Sequence, residues 1–294
     1  ITFLLLISSC NKTGNNLTNP VTNDSLTIQQ ILIFDTSIYT YDTLLKCKFA
    51  YDGNKRIDYF EETSYTTQGG NNLSMKTTFK NLYIGSDTLP QIIFIDILLY
   101  NNNPTNAHMF DTLFLTYQNG IVVRDSSSRI QSGNLAYSVF TFLKLNNSNY
   151  KVNYKSYTPG FGFANDSFFV FTNLQNGNLI QEIDTLHGFP VNNFEYLYDN
   201  KPNPFKNIFP KIPTPVVGYD HNYGGDVFIF GPIYSSYYAT SSVNNMISAD
   251  NHRYIGEIAN YNITYGVNGL PQTAICTHTS SNSVQKYVYQ YTHL

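Results

Sequence analysis

The chain has 294 residues, with 17 Lys and Arg against 20 Asp and Glu, a net charge of −3 and only 13% charged residues. A balance so near neutral leaves no basic face able to release counterions from phosphates, which argues against sequence-independent binding of nucleic acid. A hydrophobic share of 42%, with 25 Tyr and 21 Phe, excludes a disordered chain. The scarcity of strong helix formers argues against a helical bundle.

In chain order the first feature is an apolar run over residues 1–7, followed by Ser8, Ser9 and Cys10 and then by polar Asn11, Lys12, Thr13 and Gly14. This resembles the end of a bacterial lipoprotein signal peptide, in which an apolar segment inserts, small residues fit the peptidase and the cysteine thiol accepts diacylglyceryl. The resemblance implies a signal-peptide remnant over 1–9, a lipidated Cys10 opening a tether over 10–25, and a membrane partner held through that lipid. The residues themselves leave a second reading open, a buried first strand over 2–7 with Cys10 as a core thiol. The run is too short for a spanning helix, which needs about 20 apolar residues. Residues 11–24 are rich in Asn, Thr, Gly and Pro, a composition that buries no apolar area and suits a flexible tether.

From residue 26 onward the pattern is one of short strands. Runs rich in Ile, Phe, Tyr and Thr cover 26–35, 44–51, 75–83, 91–100, 113–117, 137–145, 167–172, 193–198, 255–265 and 286–291, each bounded by turn formers. Asp52-Gly53, Asn119-Gly120, Asn176-Gly177 and Asn268-Gly269 supply the positive φ that tight hairpins require. The expected fold is all-β, a single domain over 26–294. It is a large twisted antiparallel sheet of successive hairpins, curled or folded over on itself to bury one face. A Pro-rich loop and at most one or two short helices complete it. Hairpins such as Tyr51-Asp52-Gly53-Asn54 resemble the unit of YD-repeat proteins and of asparagine-rich bacterial envelope lipoproteins of unknown function. That resemblance implies a hairpin sheet without an inherited active site. The segment Asp199-Asn200-Lys201-Pro202-Asn203-Pro204-Phe205, with Pro210, Pro213 and Pro215, reads as an ordered loop over an edge or open end, because proline removes ladder donors. Ser242 as a cap, with Val243, Met246 and Ile247 at helical spacing, predicts a short helix over 241–249.

Residues that could carry chemistry are sparse. Asp220, Asn222 and Asp226 around a Gly pair form the best oxygen cluster for a cation, weighed against an ordinary polar turn. An EF-hand loop is excluded by Gly224 and Gly231 where oxygen ligands belong. The His residues are scattered, so no metal or other cofactor is implied. Glu61 and Glu62 adjoin, but neighbours on a strand face opposite ways and make a poor acid/base pair. Cys47 and Cys276 stand either as one disulfide or as two buried thiols. Asp-Thr-Leu recurs at 42–44, 87–89, 111–113 and 184–186, with Asp24-Ser25-Leu26 as a variant. It reads as a turn-to-strand junction. It also resembles the O-glycosylation sequon of some Gram-negative envelope proteins, which implies glycans on Ser25, Thr43, Thr88, Thr112 or Thr185. Tyr219, Tyr223, Tyr234, Tyr237 and Tyr238 concentrate phenols that suit a glycan or protein ligand, or else pack with their hydroxyls at the rim. The reading that follows is a lipid-anchored envelope protein, a non-catalytic binding or structural scaffold. The lipoprotein resemblance further implies the outer membrane, since Asn11 stands where enteric lipoproteins kept at the inner membrane carry Asp, and its periplasmic side, since no acidic run follows Cys10. The competing reading is a glycan-acting hydrolase, which would show two carboxylates converging in an aromatic-lined cleft.

Overall fold

The computed structural model describes residues 26–35, 43–66, 72–100, 107–131, 134–206, 242–252, 258–279 and 283–293. They form strands β1 (Leu26–Asp35), β2 (Thr43–Tyr51), β3 (Ile57–Thr66), β4 (Asn72–Leu82), β5 (Ile92–Leu99), β6 (Ala107–Gln118), β7 (Ile121–Gln131) and β8 (Asn134–Lys144). The second half continues with β9 (Asn149–Thr158), β10 (Gly162–Gln175), β11 (Asn178–Leu186), β12 (Phe189–Pro202), β13 (Asn244–Asn251), β14 (Ile258–Tyr265), β15 (Pro271–His278) and β16 (Val284–His293). Each strand pairs antiparallel with its neighbours in sequence, and β1 pairs with β16 from Leu26 opposite His293 to Asp35 opposite Gln285.

That last pairing corrects the expected open sheet folded over on itself: the fold is a closed 16-strand barrel. An open sheet leaves a row of unpaired N–H and C=O groups along each outer strand. Here the twist brings β1 and β16 together, and each supplies the partner that the other lacks.

Alternation along the strands sorts the side chains. On β5, Ile93, Ile95 and Ile97 are buried while Phe94 is exposed; on β6, Asp111, Leu113 and Leu115 are buried while Phe110 and Phe114 are exposed. Phe49, Phe60 and Phe79 are register partners across β2, β3 and β4. Their rings stack at 5.7 Å and 4.2 Å with interplanar angles of 13° and 2°. One apolar cluster runs from β1 through β10 and on into β14–β16, and a second joins Leu179, Phe194, Tyr196, Met246 and Ala249 of β11–β13.

Two local expectations are also corrected. The helix predicted over 241–249 is strand β13, because Met246 and Ala249 pack beside Phe194 and Tyr196 of the neighbouring strand β12. The Ser242 hydroxyl accepts from the Leu179 amide at 3.1 Å instead of capping a helix. The Pro-rich segment is not loop throughout, since β12 runs on to Pro202, which lies opposite Asn244 past a register slip after Tyr198. There the proline ends the strand, where its missing donor costs little. The chain then turns at Asn203 and sends Phe205 back into the core, its ring 6.4 Å from that of Tyr289. Pro210, Pro213 and Pro215 lie outside the described residues.

The two-residue hairpins have the geometry that their sequences require. Asn119 and Gly120 sit at φ 53° and 74°, Asn176 and Gly177 at 53° and 81°. His187-Gly188, at 51° and 83°, is a third pair of this kind. The Asp52-Gly53 turn is built otherwise: Lys55 takes the positive φ of 62°, and the Asp52 carboxylate accepts from the amides of Asn54 and Arg56. Gly177→Ala is expected to destabilise more than Gly120→Ala. Both carry left-handed strain of about 1–2 kcal/mol, but a Cβ on Gly177 falls 2.6 Å from Val243 Cγ2 whereas one on Gly120 meets nothing. Urea midpoints of the two variants measure the difference.

Candidate functional site

The start of β1, the end of β16 and the turns at 52–56, 119–120, 176–177 and 266–270 share one end of the barrel; the turns at 159–161 and 187–188 lie at the other. At the terminal end a repeated device closes the wall. Tyrosines at or just past the ends of strands turn inward and donate their hydroxyls to backbone carbonyls. Tyr51 reaches Ile28 O at 2.6 Å, Tyr83 reaches Ile57 O at 2.8 Å, Tyr117 reaches Pro90 O at 2.7 Å and Tyr291 reaches Pro271 O at 2.7 Å. Tyr265 makes the corresponding bond to the Asp199 carboxylate. These phenols satisfy carbonyls that the last turn of the ladder would leave bare. Sequence reasoning missed the collar, although the signal was present in a Tyr preceding successive turns.

Within this mouth lies a cavity of about 740 Å³. Lys55, Arg56 and Lys206 line it together with Tyr51, Tyr83 and Asn119, and among the described residues no Asp or Glu does. Arg56 is fixed in place: its Nε and Nη2 donate to Asp52 at 2.8 Å and 2.7 Å, Nη1 donates to Asp87 O at 2.8 Å, and the guanidinium lies 4.2 Å over the Tyr83 ring. Slight burial works to raise the Asp52 carboxyl, but bonds from the Arg56 and Asn54 amides and from the Arg56 guanidinium outweigh it and hold it below the usual carboxylate range. Burial pushes the Tyr83 phenol up to about 12, so it stays a neutral donor under the guanidinium. Arg56 therefore shapes the mouth, while Lys55 and Lys206 complete its cationic lining.

The wall between the two ends has a definite polarity. Inward positions are mainly Ile, Leu, Val, Phe and Tyr, with Glu62, Asp111, Asp125, Glu182 and Asp184 as buried acids among them. Outward positions, on the parity opposite the buried one, carry Lys46, Lys48, Lys76, Lys80, Lys151, Lys155 and Lys286 together with exposed Phe94, Phe110, Phe114, Leu143 and Phe169. Lys76 pairs with Glu61 at 2.8 Å on that outer face. Glu61 and Glu62 thus face opposite ways, as alternation requires.

Of the residues singled out from sequence, Cys10, Ser25, Tyr219, Tyr223, Tyr234, Tyr237, Tyr238, Asp220, Asn222 and Asp226 lie outside the described residues. Thr43 falls at the start of β2. Thr88 is exposed beside the mouth, in the connection between β4 and β5. Thr112 is half-buried within β6, where Asp-Thr-Leu is strand interior; Thr185 is half-buried in the last residues of β11, where the triplet closes a strand ahead of the 187–188 turn instead of opening one. Cys47 and Cys276 are free and buried. Among the described residues no group of three or more His, Cys, Asp and Glu is placed to hold a metal ion.

No family model matches the chain and no curated protein matches it, YD-repeat and lipoprotein families included. Among solved structures it is similar to a porin-like protein from Bacteroides uniformis, at 14% identity and a TM-score of 0.50, over 90% of this chain and 98% of that one. A porin-like protein from Bacteroides vulgatus aligns at 11% identity and a TM-score of 0.39, over 91% and 99% of the two chains. The first likeness is one of fold alone.

Proposed function

We propose that this chain is a non-catalytic barrel of the outer membrane, attached to the bilayer through lipid on Cys10 and not embedded in it, with the cationic mouth as its binding site. The observation that carries this reading is the polarity of the wall. A transmembrane barrel turns an apolar band to lipid and a polar lining to its lumen, and a Lys at the bilayer midplane costs about 2–4 kcal/mol. Here the outer face bears Lys46 and Lys76 at mid-strand and Lys48, Lys80 and Lys155 nearer the strand ends, interspersed with exposed Phe94, Phe114 and Leu143, and the inner face bears the core. The likeness to a porin-like protein supports an envelope barrel without catalysis. The packed inner face of β1–β10 argues against a water-filled channel through it. The glycan-hydrolase alternative required two carboxylates converging in a cleft, and among the described residues none lines the mouth. Within the cavity Lys55 and Lys206 favour an anionic ligand.

The test is fractionation of the precursor, carrying a lipoprotein leader, from a host that processes lipoproteins, beside a Cys10→Ala variant. The natural chain is expected in the outer-membrane pellet with diacylglyceryl mass on Cys10, and the variant in the soluble fraction without detergent. A variant that stays in the pellet through an alkaline carbonate wash would establish an embedded barrel instead. Titration of the soluble variant with inorganic phosphate, with and without Lys55→Gln and Lys206→Gln, tests the mouth.

A further inference from the structure

We propose that the ligand of the mouth is an amphipathic anion, one anionic head group carried on an apolar body. The inference rests on the cationic mouth proposed above and names its ligand class. Burial across the cavity is graded by chemistry. Lys55, Lys206 and Asn119 at its rim are exposed. Half-buried Leu26, Leu89, Ile121 and Pro204 offer it apolar surface, and buried Ile28, Ile57 and Leu270 close its floor. A ligand that fits this gradient is charged at one end and apolar at the other. Size is compatible with such a ligand. Benzene fills a cavity of about 150 Å³, so ten carbons need about 250 Å³. The mouth has about 740 Å³, which leaves room for a hydrated head group.

The polar groups of the wall are already committed to the protein. Tyr51 and Tyr83 donate their hydroxyls to Ile28 O and Ile57 O, so that they present ring surface to the cavity. Arg56 donates to the Asp52 carboxylate, which balances its charge, and to Gly85 O and Asp87 O. A sugar or a nucleotide, whose many hydroxyl and ring groups each need a partner, finds few here, and burying them unpaired costs affinity. An alkyl body needs none. The attraction for a head group then comes from the ammonium groups of Lys55 and Lys206. The backbone singles out Lys55. It holds φ 62°, and among the described residues the others at positive φ are Gly, Asn and His. Those types adopt this conformation with less strain than a Lys, so the turn sets the side chain at the mouth against its own backbone preference.

The experiment titrates the Cys10→Ala chain calorimetrically with octanoate, decanoate, octanol and inorganic phosphate. Decanoate is expected to bind about fivefold more tightly than octanoate, because two further methylenes leave water in part. Octanol, which lacks the charge, is expected to bind about tenfold more weakly than octanoate. Lys206→Gln and Lys55→Gly are each expected to weaken decanoate about threefold or more and to leave octanol unchanged. Lys55→Gly is also expected to unfold at a urea midpoint no lower than its parent, since Gly adopts the positive φ freely, so lost binding is separated from lost folding. A decanoate carrying a diazirine at its far end is expected to label Leu26, Ile57 or Leu270 on irradiation. Labelling confined to the outer wall, where Phe94, Phe110 and Phe114 are exposed, overturns the proposal. Phosphate bound as tightly as decanoate, with both weakened by Lys206→Gln, overturns the amphipathic ligand and leaves the cationic mouth standing. Octanol bound as tightly as octanoate, with no response to either Lys substitution, overturns the cationic mouth itself, as does no binding of any of the four.

Discussion

Phe60→Ala is expected to destabilise the barrel by about 3–5 kcal/mol, a large part of the 5–15 kcal/mol that a folded domain has in total. The reason is its position. Phe60 sits on the inner face of β3 between Phe49 and Phe79, in stacked contact with both. Truncation removes buried apolar area and leaves a hole bounded by two rings whose rotamers are fixed by their strands, so the site cannot collapse onto it. Phe60→Leu, which keeps most of the volume, is expected to lose less than half as much. Chemical denaturation of both variants checks the ratio. An effect of Phe60→Ala under about 1 kcal/mol would mean that the inner face is loosely packed and hydrated.

Val152→Lys is expected to prevent folding or to cost about 3–5 kcal/mol, whereas Asn153→Lys, one residue along β9, is expected to change stability by less than about 0.5 kcal/mol. Val152 is fully buried and lies between Phe142 and Phe168 in the strand register. An ammonium there has no acid opposite it in the register and is shut off from solvent. Asn153 is on the outer face, on the same parity as Lys151 and Lys155. In a barrel with a wet lumen and a lipid-covered wall the order is reversed, because the inner Lys is then solvated and the outer one is desolvated. The pair of adjacent substitutions, read by thermal unfolding, therefore decides which side of the wall is wet, independently of any ligand.

Much of the secondary structure was legible in the sequence. The first strand matches its expected span of 26–35, because Ile28, Ile31 and Ile33 stand out against Thr, Gln and Asp. Asn119-Gly120 and Asn176-Gly177 turn where their chemistry demands. Several strands were not legible. β7, with Arg124, Asp125 and then Ser126, Ser127 and Ser128, shows little contrast between its faces, and its inward Asp125 is polar. β9 carries Lys and Asn outward and Tyr on both faces, so that period two is blurred. β13 was mistaken for a helix because Val243, Met246 and Ile247 fit helical spacing, and only packing against Phe194 and Tyr196 makes the segment extended. The mouth was legible only in part: the Tyr-Asp turn was read at Asp52, but the cation lining needs Lys206, about 150 residues from Lys55, to be brought to the same end by the barrel.

The amino-acid sequence by itself determined that the chain is all-β, where its tightest hairpins bend, and that Glu61 and Glu62 face apart, since each of these depends on residues a few positions away. Tertiary structure alone decided that the sheet closes and which face became the interior. Alternation defines two faces without saying which is enclosed, and closure rests on backbone hydrogen bonds between β1 and β16, such as Ile31 opposite Tyr289, whose partners are set by twist summed over the whole sheet and not by any local sequence.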